Sequence, residues 1–158
     1  MRILGIDPGT GILGFGVIDV QGRNVQMVDA GVIRTPVKED DAVRLLTIYE
    51  ELSDIIANNR PAIMSVEKLF FARNVTTAMT VSQARGVVLL CAKQADMQIF
   101  EYTPMQIKQA ITGYGKADKK QMQEMVRVLL KLKDIPRPDD CADALAAALT
   151  HAAAAHLA

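Results

Sequence analysis

Four acidic residues stand where the sequence reads as the end of a buried strand or the start of a helix. Asp7 and Glu67 each close a short apolar run, and Asp140 and Asp143 lie three residues apart at a predicted helix start. That spacing lets both aspartates project from one helix face. A carboxylate at the end of a buried element is costly unless it is paired, hydrogen-bonded or metal-bound. Together the four could bind two hard cations through oxygen ligands.

Each acid also has a plainer interpretation when it is taken singly. Asp7 could be a turn residue, Glu67 a surface residue at a strand edge, and Asp140 a capping residue. Asp139, which follows Pro138, is predicted to be the N-cap of the last helix.

The two histidines, His151 and His156, are predicted to be tail residues rather than metal ligands. His151 follows Asp140 by eleven positions, which is about 16 Å along a helix and too far to share one ion.

Two glycine-containing segments resemble nucleotide-binding loops but lack the required context. Gly9 to Gly14 matches GxGxxG after a strand, yet the dinucleotide fingerprint requires the glycines to open a helix. Here they lead into Phe15-Gly16-Val17-Ile18, which has strand character. Gly113-Tyr114-Gly115-Lys116 has neither the spacing nor the hydroxyl residue of a P-loop. Neither segment is interpreted as a phosphate cradle.

Alternating strand and helix patterns predict how the four acids are positioned. Strands are predicted at Met1–Asp7, Gly14–Val20, Val25–Ile33, Ala62–Glu67 and Gln98–Tyr102. Helices are predicted at Asp41–Asn59 and Asn74–Lys93, from about Thr103, at Asp118–Leu132 and from about Pro138 through the alanine-rich end. The order βββαβαβ followed by helices predicts an α/β fold, a mixed five-stranded sheet with helices on both faces. Residues 1–158 are expected to form one domain.

Composition excludes some classes and leaves others open. Half of the 158 residues are hydrophobic, and 18 basic residues balance 18 acidic ones, so net charge predicts no partner. We expect reduced thiols at Cys91 and Cys141, no signal peptide in the first residues, and no membrane span. Basic residues outnumber acidic ones from Lys108 to Asp134, which indicates a phosphate-facing surface. The basic residues there are Lys108, Lys116, Lys119, Lys120, Arg127, Lys131 and Lys133.

Several of these motifs together resemble the RuvC family of Holliday junction resolvases, over essentially the whole chain and in the right order. They are Ile6-Asp7-Pro8-Gly9-Thr10, Val66-Glu67, Ser82-Gln83-Ala84-Arg85-Gly86 and Pro138-Asp139-Asp140-Cys141-Ala142-Asp143-Ala144-Leu145. The resemblance implies a ribonuclease H-like fold and an Mg²⁺-dependent endonuclease that resolves four-way DNA junctions by paired nicks. It implies two Mg²⁺ ions per active site, held by Asp7, Glu67, Asp140 and Asp143, and products with 5′-phosphate ends.

The same resemblance implies further residues and partners. Phe70 would face junction bases, although a core position is equally compatible with the sequence, and Lys108, Lys116, Lys119 and Lys120 would contact DNA phosphates. A homodimer would form partly through the Asn74–Lys93 helix, which is apolar on nearly every face in its second half. The family also implies a bacterial, cytoplasmic protein that works with the RuvA–RuvB branch-migration complex.

Three other classes were weighed against this interpretation. Actin-like ATPases and sugar kinases also carry Asp-x-Gly-Thr, but they need two such domains around the nucleotide. A non-catalytic DNA-binding module of the same fold would be expected to have lost one or more of the acids. A ribonuclease that cuts RNA–DNA hybrids or structured RNA is the nearest competitor, and the Asp-Asp-x-Ala-Asp ending favours junctions.

Overall fold

The computed structural model describes residues 1–69 and 75–157. Within these ranges the strands are β1 (Arg2–Asp7), β2 (Ile12–Gln21), β3 (Asn24–Arg34), β4 (Ile63–Glu67) and β5 (Gln98–Tyr102). The helices are α1 (Asp41–Asn59), α2 (Val75–Gln94), α3 (Pro104–Thr112), α4 (Lys119–Leu129) and α5 (Asp139–Leu157). The predicted order of elements is confirmed, and most boundaries agree within two residues. The sequence placed the end of α4 three residues too late.

The five strands form one mixed sheet in the order β3-β2-β1-β4-β5. β1, β2 and β3 make an antiparallel meander, whereas β4 and β5 run parallel to β1. Because parallel strands share an edge for their carboxyl ends, the ends of β1 and β4 are neighbours.

The core lies on both faces of this sheet. On one face α1 and α2 pack over residues such as Leu4, Ile6 and Val66. On the other, α3, α4 and α5 pack over Ile3 and Ile18. Helices on both faces, together with the mixed sheet, confirm the predicted α/β class.

Helix α5 lies unusually close to β1 and β2. A Cβ atom added at Gly5 would collide with the backbone oxygen of Ala144. The Ser65 hydroxyl of β4 donates a hydrogen bond to the Ala147 carbonyl at 2.6 Å. Glycine in the strand and alanine in the helix keep side-chain bulk out of this interface. The alanine-rich sequence is therefore a packing surface.

Helix α2 differs from expectation in one respect. Within the described ranges it is the one helix with the length and mean hydropathy, 1.3, of a possible membrane span, whereas the sequence analysis expected no such segment. Length and composition alone support this, and a helix of a folded core meets the same criteria. α2 packs on α1 through Ala84, Val88 and Cys91.

Candidate active site

The parallel pairing of β1 with β4 brings Asp7 and Glu67 to the same edge of the sheet. Ile6 lies opposite Val66 in the register, and each acid is the next residue along its strand. Their position follows from two apolar strands that end together, as the sequence predicted.

The first turns of α5 bring Asp140 and Asp143 to that edge. Gly14 pairs with Asp7 in the antiparallel register, and a Cβ atom at Gly14 would collide with the Asp140 backbone oxygen. The missing side chain at Gly14 thus lets the start of α5 lie against β2 beside Asp7. This close approach explains the last glycine of the GxGxxG match.

Asp7 is the electrostatic centre of the cluster. Burial, and then the negative charges of Asp143, Asp140 and Glu67, raise the pKa of its carboxyl from 3.8 to about 8, while Lys119 opposes them. All four acids are half-buried. A carboxyl surrounded by three others needs positive charge to ionise near neutral pH.

Two other carboxyl groups of the cluster also have raised pKa values. Burial, and then the charge of Asp143, raise the pKa of Glu67, and Lys108 opposes this effect. Burial also raises the pKa of Asp143, and the nearby Lys119 ammonium opposes it most strongly. Because burial and mutual repulsion disfavour the ionised forms, cations at this edge would be held firmly.

The donor set suits a hard divalent cation. All the candidate ligands are carboxylate oxygens, the ligands of Mg²⁺, and Mg²⁺ uses one or two carboxylates together with waters and substrate phosphate. Among the described residues, no three Asp, Glu, His or Cys side chains converge into a ready-made metal cage. An Mg²⁺ ion at these carboxylates would complete its coordination with waters and a phosphate oxygen.

The structure divides the four predicted DNA-contacting lysines into two pairs. Lys108 and Lys119 line a cleft of about 340 Å³ together with Glu67 and Asp143. The Lys119 ammonium lies 3.7 Å from Asp143. Lys116 and Lys120 are exposed, and Lys120 lines a separate hollow beside Tyr114. Phe70 lies outside the described residues.

Asp139 is not the N-cap that the sequence predicted. α5 begins at Asp139 itself, because the Pro138 carbonyl accepts a hydrogen bond from the Cys141 amide. The Asp139 carboxylate instead lies 3.2 Å from the Lys119 ammonium and accepts a hydrogen bond from the Gln123 amide at 3.0 Å. Asp139 therefore pairs with the same Lys119 ammonium that lies beside Asp143.

His151 is buried, and its assignment as a tail residue was wrong. Its Nδ1 atom lies 2.8 Å from the Tyr102 hydroxyl, and its ring centroid is 4.1 Å from that of Phe100. Burial lowers its pKa. No pattern in the sequence indicated this, because an alanine-rich run does not reveal that α5 reaches across the sheet to β5. His156 lies in the last turn of α5.

A second cleft, of about 290 Å³, adjoins the first and shares Glu67 and Pro104 with it. Asp7 and Lys68 line it, and Arg85 of α2 forms part of its wall. The sequence analysis quoted Arg85 only as part of a motif. Its place beside the acids depends on how α2 packs.

Comparison with known proteins agrees with this geometry. A family model described as crossover junction endodeoxyribonuclease RuvC matches residues 3–151. The protein of that name from Brevibacillus brevis is 56% identical over 152 residues, 96% of this chain and 92% of the relative. The one from Heliobacterium modesticaldum is 57% identical over 149 residues, 94% of this chain and 92% of the relative.

Solved structures agree as well. Thermus thermophilus RuvC in complex with Holliday junction substrate has a TM-score of 0.94 at 39% identity, covering 99% of this chain and 96% of that one. The yeast mitochondrial Holliday junction resolvase Ydc2 has a TM-score of 0.70 at 14% identity, covering 98% of this chain and 80% of that one. This likeness shows a shared fold.

Proposed function

The chain belongs to the RuvC family of crossover junction endodeoxyribonucleases, and on this basis we propose that it resolves Holliday junctions by metal-dependent hydrolysis at Asp7, Glu67, Asp140 and Asp143. It is a junction-resolving endonuclease of the ribonuclease H-like fold. The observation that supports the assignment of the site is that three separate elements bring the four acids to one edge of the sheet, where the charges of Asp143, Asp140 and Glu67 all raise the pKa of Asp7.

The four carboxylates would hold two Mg²⁺ ions. When bound, such ions would supply a Lewis acid at the scissile phosphate and an activated water as the nucleophile. Asp7, whose pKa is raised by the charges of Asp143, Asp140 and Glu67, would be the central ligand of this set. The half-buried setting limits competition from bulk water for the same oxygens.

Lys108 and Lys119 would guide the DNA backbone into the acidic cleft. The bare carboxylates repel phosphate, so positive charge beside them is needed for the strand to approach. Lys119 also lowers the pKa of Asp7, which favours the ionised form that binds metal. Lys116 and Lys120, which are exposed, would contact phosphates of a duplex arm. For Phe70 we retain the proposal of a contact with junction bases.

We propose that two copies act together through α2. Its outward side carries Val75, Met79, Gly86 and Leu90, at helical spacing of four and seven residues. Val75 is 65% exposed, Met79 60% and Leu90 52%. A Cβ atom at Gly86 would meet nothing within 4 Å, so a second helix could approach closely there. A C2 dimer supplies two related sites for two symmetric cuts.

Family membership supports the remaining proposals, which are action in the bacterial cytoplasm and cooperation with a RuvA–RuvB branch-migration complex. The products would carry ligatable 5′-phosphate ends. Residues 1–158 would act as a single nuclease domain.

A substrate comparison tests the proposed function. The protein is incubated with Mg²⁺ and a labelled four-way junction, a linear duplex or an RNA–DNA hybrid of the same sequence. Symmetric nicks in the junction, with little cutting of the other two, are expected. Equal cutting of all three would refute junction selectivity, and preferential cutting of the hybrid would point to the ribonuclease alternative. Replacing Mg²⁺ by EDTA should abolish cleavage.

A further inference from the structure

Arg85 is a positively charged residue in the wall of the active-site cleft with no role in the function described so far. It lies on α2 one turn beyond Val81, and both line the cleft that contains Asp7 and Glu67. α2 has 20 residues and β4 has 5. The rise per residue is 1.5 Å in a helix and about 3.3 Å in a strand, so α2 is longer than β4 and extends past its end. Its middle therefore lies level with the acidic edge of the sheet.

The hydrogen bonds of Arg85 leave most of its guanidinium unused. One terminal nitrogen, Nη2, is paired with the Glu101 carboxylate of β5. Nε is buried and has no hydrogen-bond partner among the described residues. The side chain is 17% exposed, against 40% for Glu101. A guanidinium carries five N–H donors, so a single pair with a surface carboxylate leaves donors available on the cleft side.

Arg85 also places a positive charge in the wall of the cleft that contains Asp7 and Glu67. The proposed ligand of this cleft is a DNA strand, and its phosphates carry the opposite charge.

We propose that Arg85 binds a phosphate of the cleaved strand next to the scissile one, with Glu101 holding the guanidinium in place. The inference rests on the proposed function. Arginine suits this task because its planar fork binds phosphate oxygens through two parallel hydrogen bonds. The Glu101 pair fixes the side chain before DNA arrives, which reduces the conformational entropy lost on binding. The alternative is that Arg85 only ties α2 to β5.

Paired variants separate these two roles. In an Asp7→Asn background, which leaves DNA uncut in Mg²⁺, junction binding is measured by fluorescence anisotropy across a salt series. Arg85→Gln should weaken junction binding about tenfold. The slope of log affinity against log salt concentration, here called the salt slope, should fall by the equivalent of about one phosphate contact. Glu101→Gln breaks the same ion pair but keeps the cation, so it should weaken junction binding less than Arg85→Gln does and leave the salt dependence of binding unchanged.

Three outcomes would overturn the proposal. They are unchanged affinity in Arg85→Gln, equal weakening in both variants, and a loss of affinity in Glu101→Gln alone. If Arg85→Gln does not fold, Arg85→Lys replaces it and should keep the salt slope while losing part of the affinity. Failure of the proposed function is recognised separately, because the parent with Arg85 intact would then bind junction and linear duplex alike.

Discussion

At the level of single residues, the site depends on the cost of placing Asp7 among three other acids. Burial and three like charges all act against its ionised form. One cationic side chain, Lys119, opposes them, and its ammonium is shared with Asp139 and Asp143. The ionised carboxylate would therefore be stabilised by a bound cation, and we expect the site to be sensitive to a change that removes only the charge of Asp7.

Replacing Asp7 by Asn should abolish cleavage while leaving junction binding intact. The amide is the same size but is a poor ligand for Mg²⁺. Loss of a metal contact worth several kcal/mol corresponds to a fall on the order of 10³-fold in cleavage rate. Single-turnover cleavage and anisotropy measure the two properties separately. Loss of binding together with cleavage would mean that Asp7 has a structural role.

The same substitution should change how the metal-free protein responds to pH. The unfolded Asp7 carboxyl loses its proton near pH 3.8 and the folded one near pH 8. The folded state thus binds more protons in that window, so its stability falls as pH rises. Asp7→Asn removes this loss, and its Tm in EDTA should exceed that of the parent by about 5 °C or more at pH 9, with little difference at pH 4.

Asp19→Asn provides a control of opposite sign. The hydrogen bond from Arg2 lowers the pKa of the Asp19 carboxyl. The contribution of Asp19 to the stability of the fold is therefore present at neutral pH and is lost on acidification. The Asn variant should show no gain in relative stability above pH 5. If the Tm of Asp7→Asn and that of the parent changed with pH in parallel, the raised pKa of Asp7 would be contradicted.

At the level of elements, α5 can lie close to β1 and β2 because two residues of these strands are glycines without side chains. Gly14 faces the Asp140 backbone, and Gly5 faces that of Ala144. Gly14, the last glycine of the pattern that resembled a nucleotide loop, therefore allows the close approach of a helix. Only a knowledge of which element crosses these strands could reveal this, because a glycine in a strand is equally compatible with a bulge or a turn.

Gly14→Ala should push α5 away from β2 and misplace Asp140. Overpacking costs about 1–3 kcal/mol, and a displacement near 1 Å lowers the cleavage rate by up to about 10²-fold. Gly31→Ala is the matched control in the same sheet, since its Cβ atom would meet the Phe15 ring edge at 3.0 Å rather than backbone. Thermal unfolding and single-turnover cleavage are the measurements. Equal effects of the two substitutions would contradict the proposed contact.

At the level of the whole molecule, the exposed apolar side of α2 is the main feature that one chain leaves uncovered. Val75, Met79 and Leu90 are more than half exposed on a helix whose other side is packed. Burying such a surface against a second copy would remove apolar area from water and create the paired sites required for symmetric cuts.

Leu90→Glu should dissociate the dimer into monomers that bind the junction more weakly and lose coordinated cleavage. A charge in an apolar interface must be desolvated on association, which disfavours the dimer. Val128→Glu on α4 is a matched control, because Val128 is 49% exposed and Leu90 52%. Sedimentation velocity measures the oligomeric state. A parent protein that sediments as a monomer at working concentration would refute the dimer.

The sequence alone determined the order of strands and helices and the four acids at their ends. Apolar periodicity and turn residues are local properties, and a carboxylate at the end of a buried run stands out without coordinates. Only the tertiary structure decided which cation faces which acid, that Asp139 contacts Lys119, that His151 is buried against β5, and that Arg85 lines the cleft. These depend on burial and through-space distance between elements far apart in the chain, which spacing along the sequence does not encode.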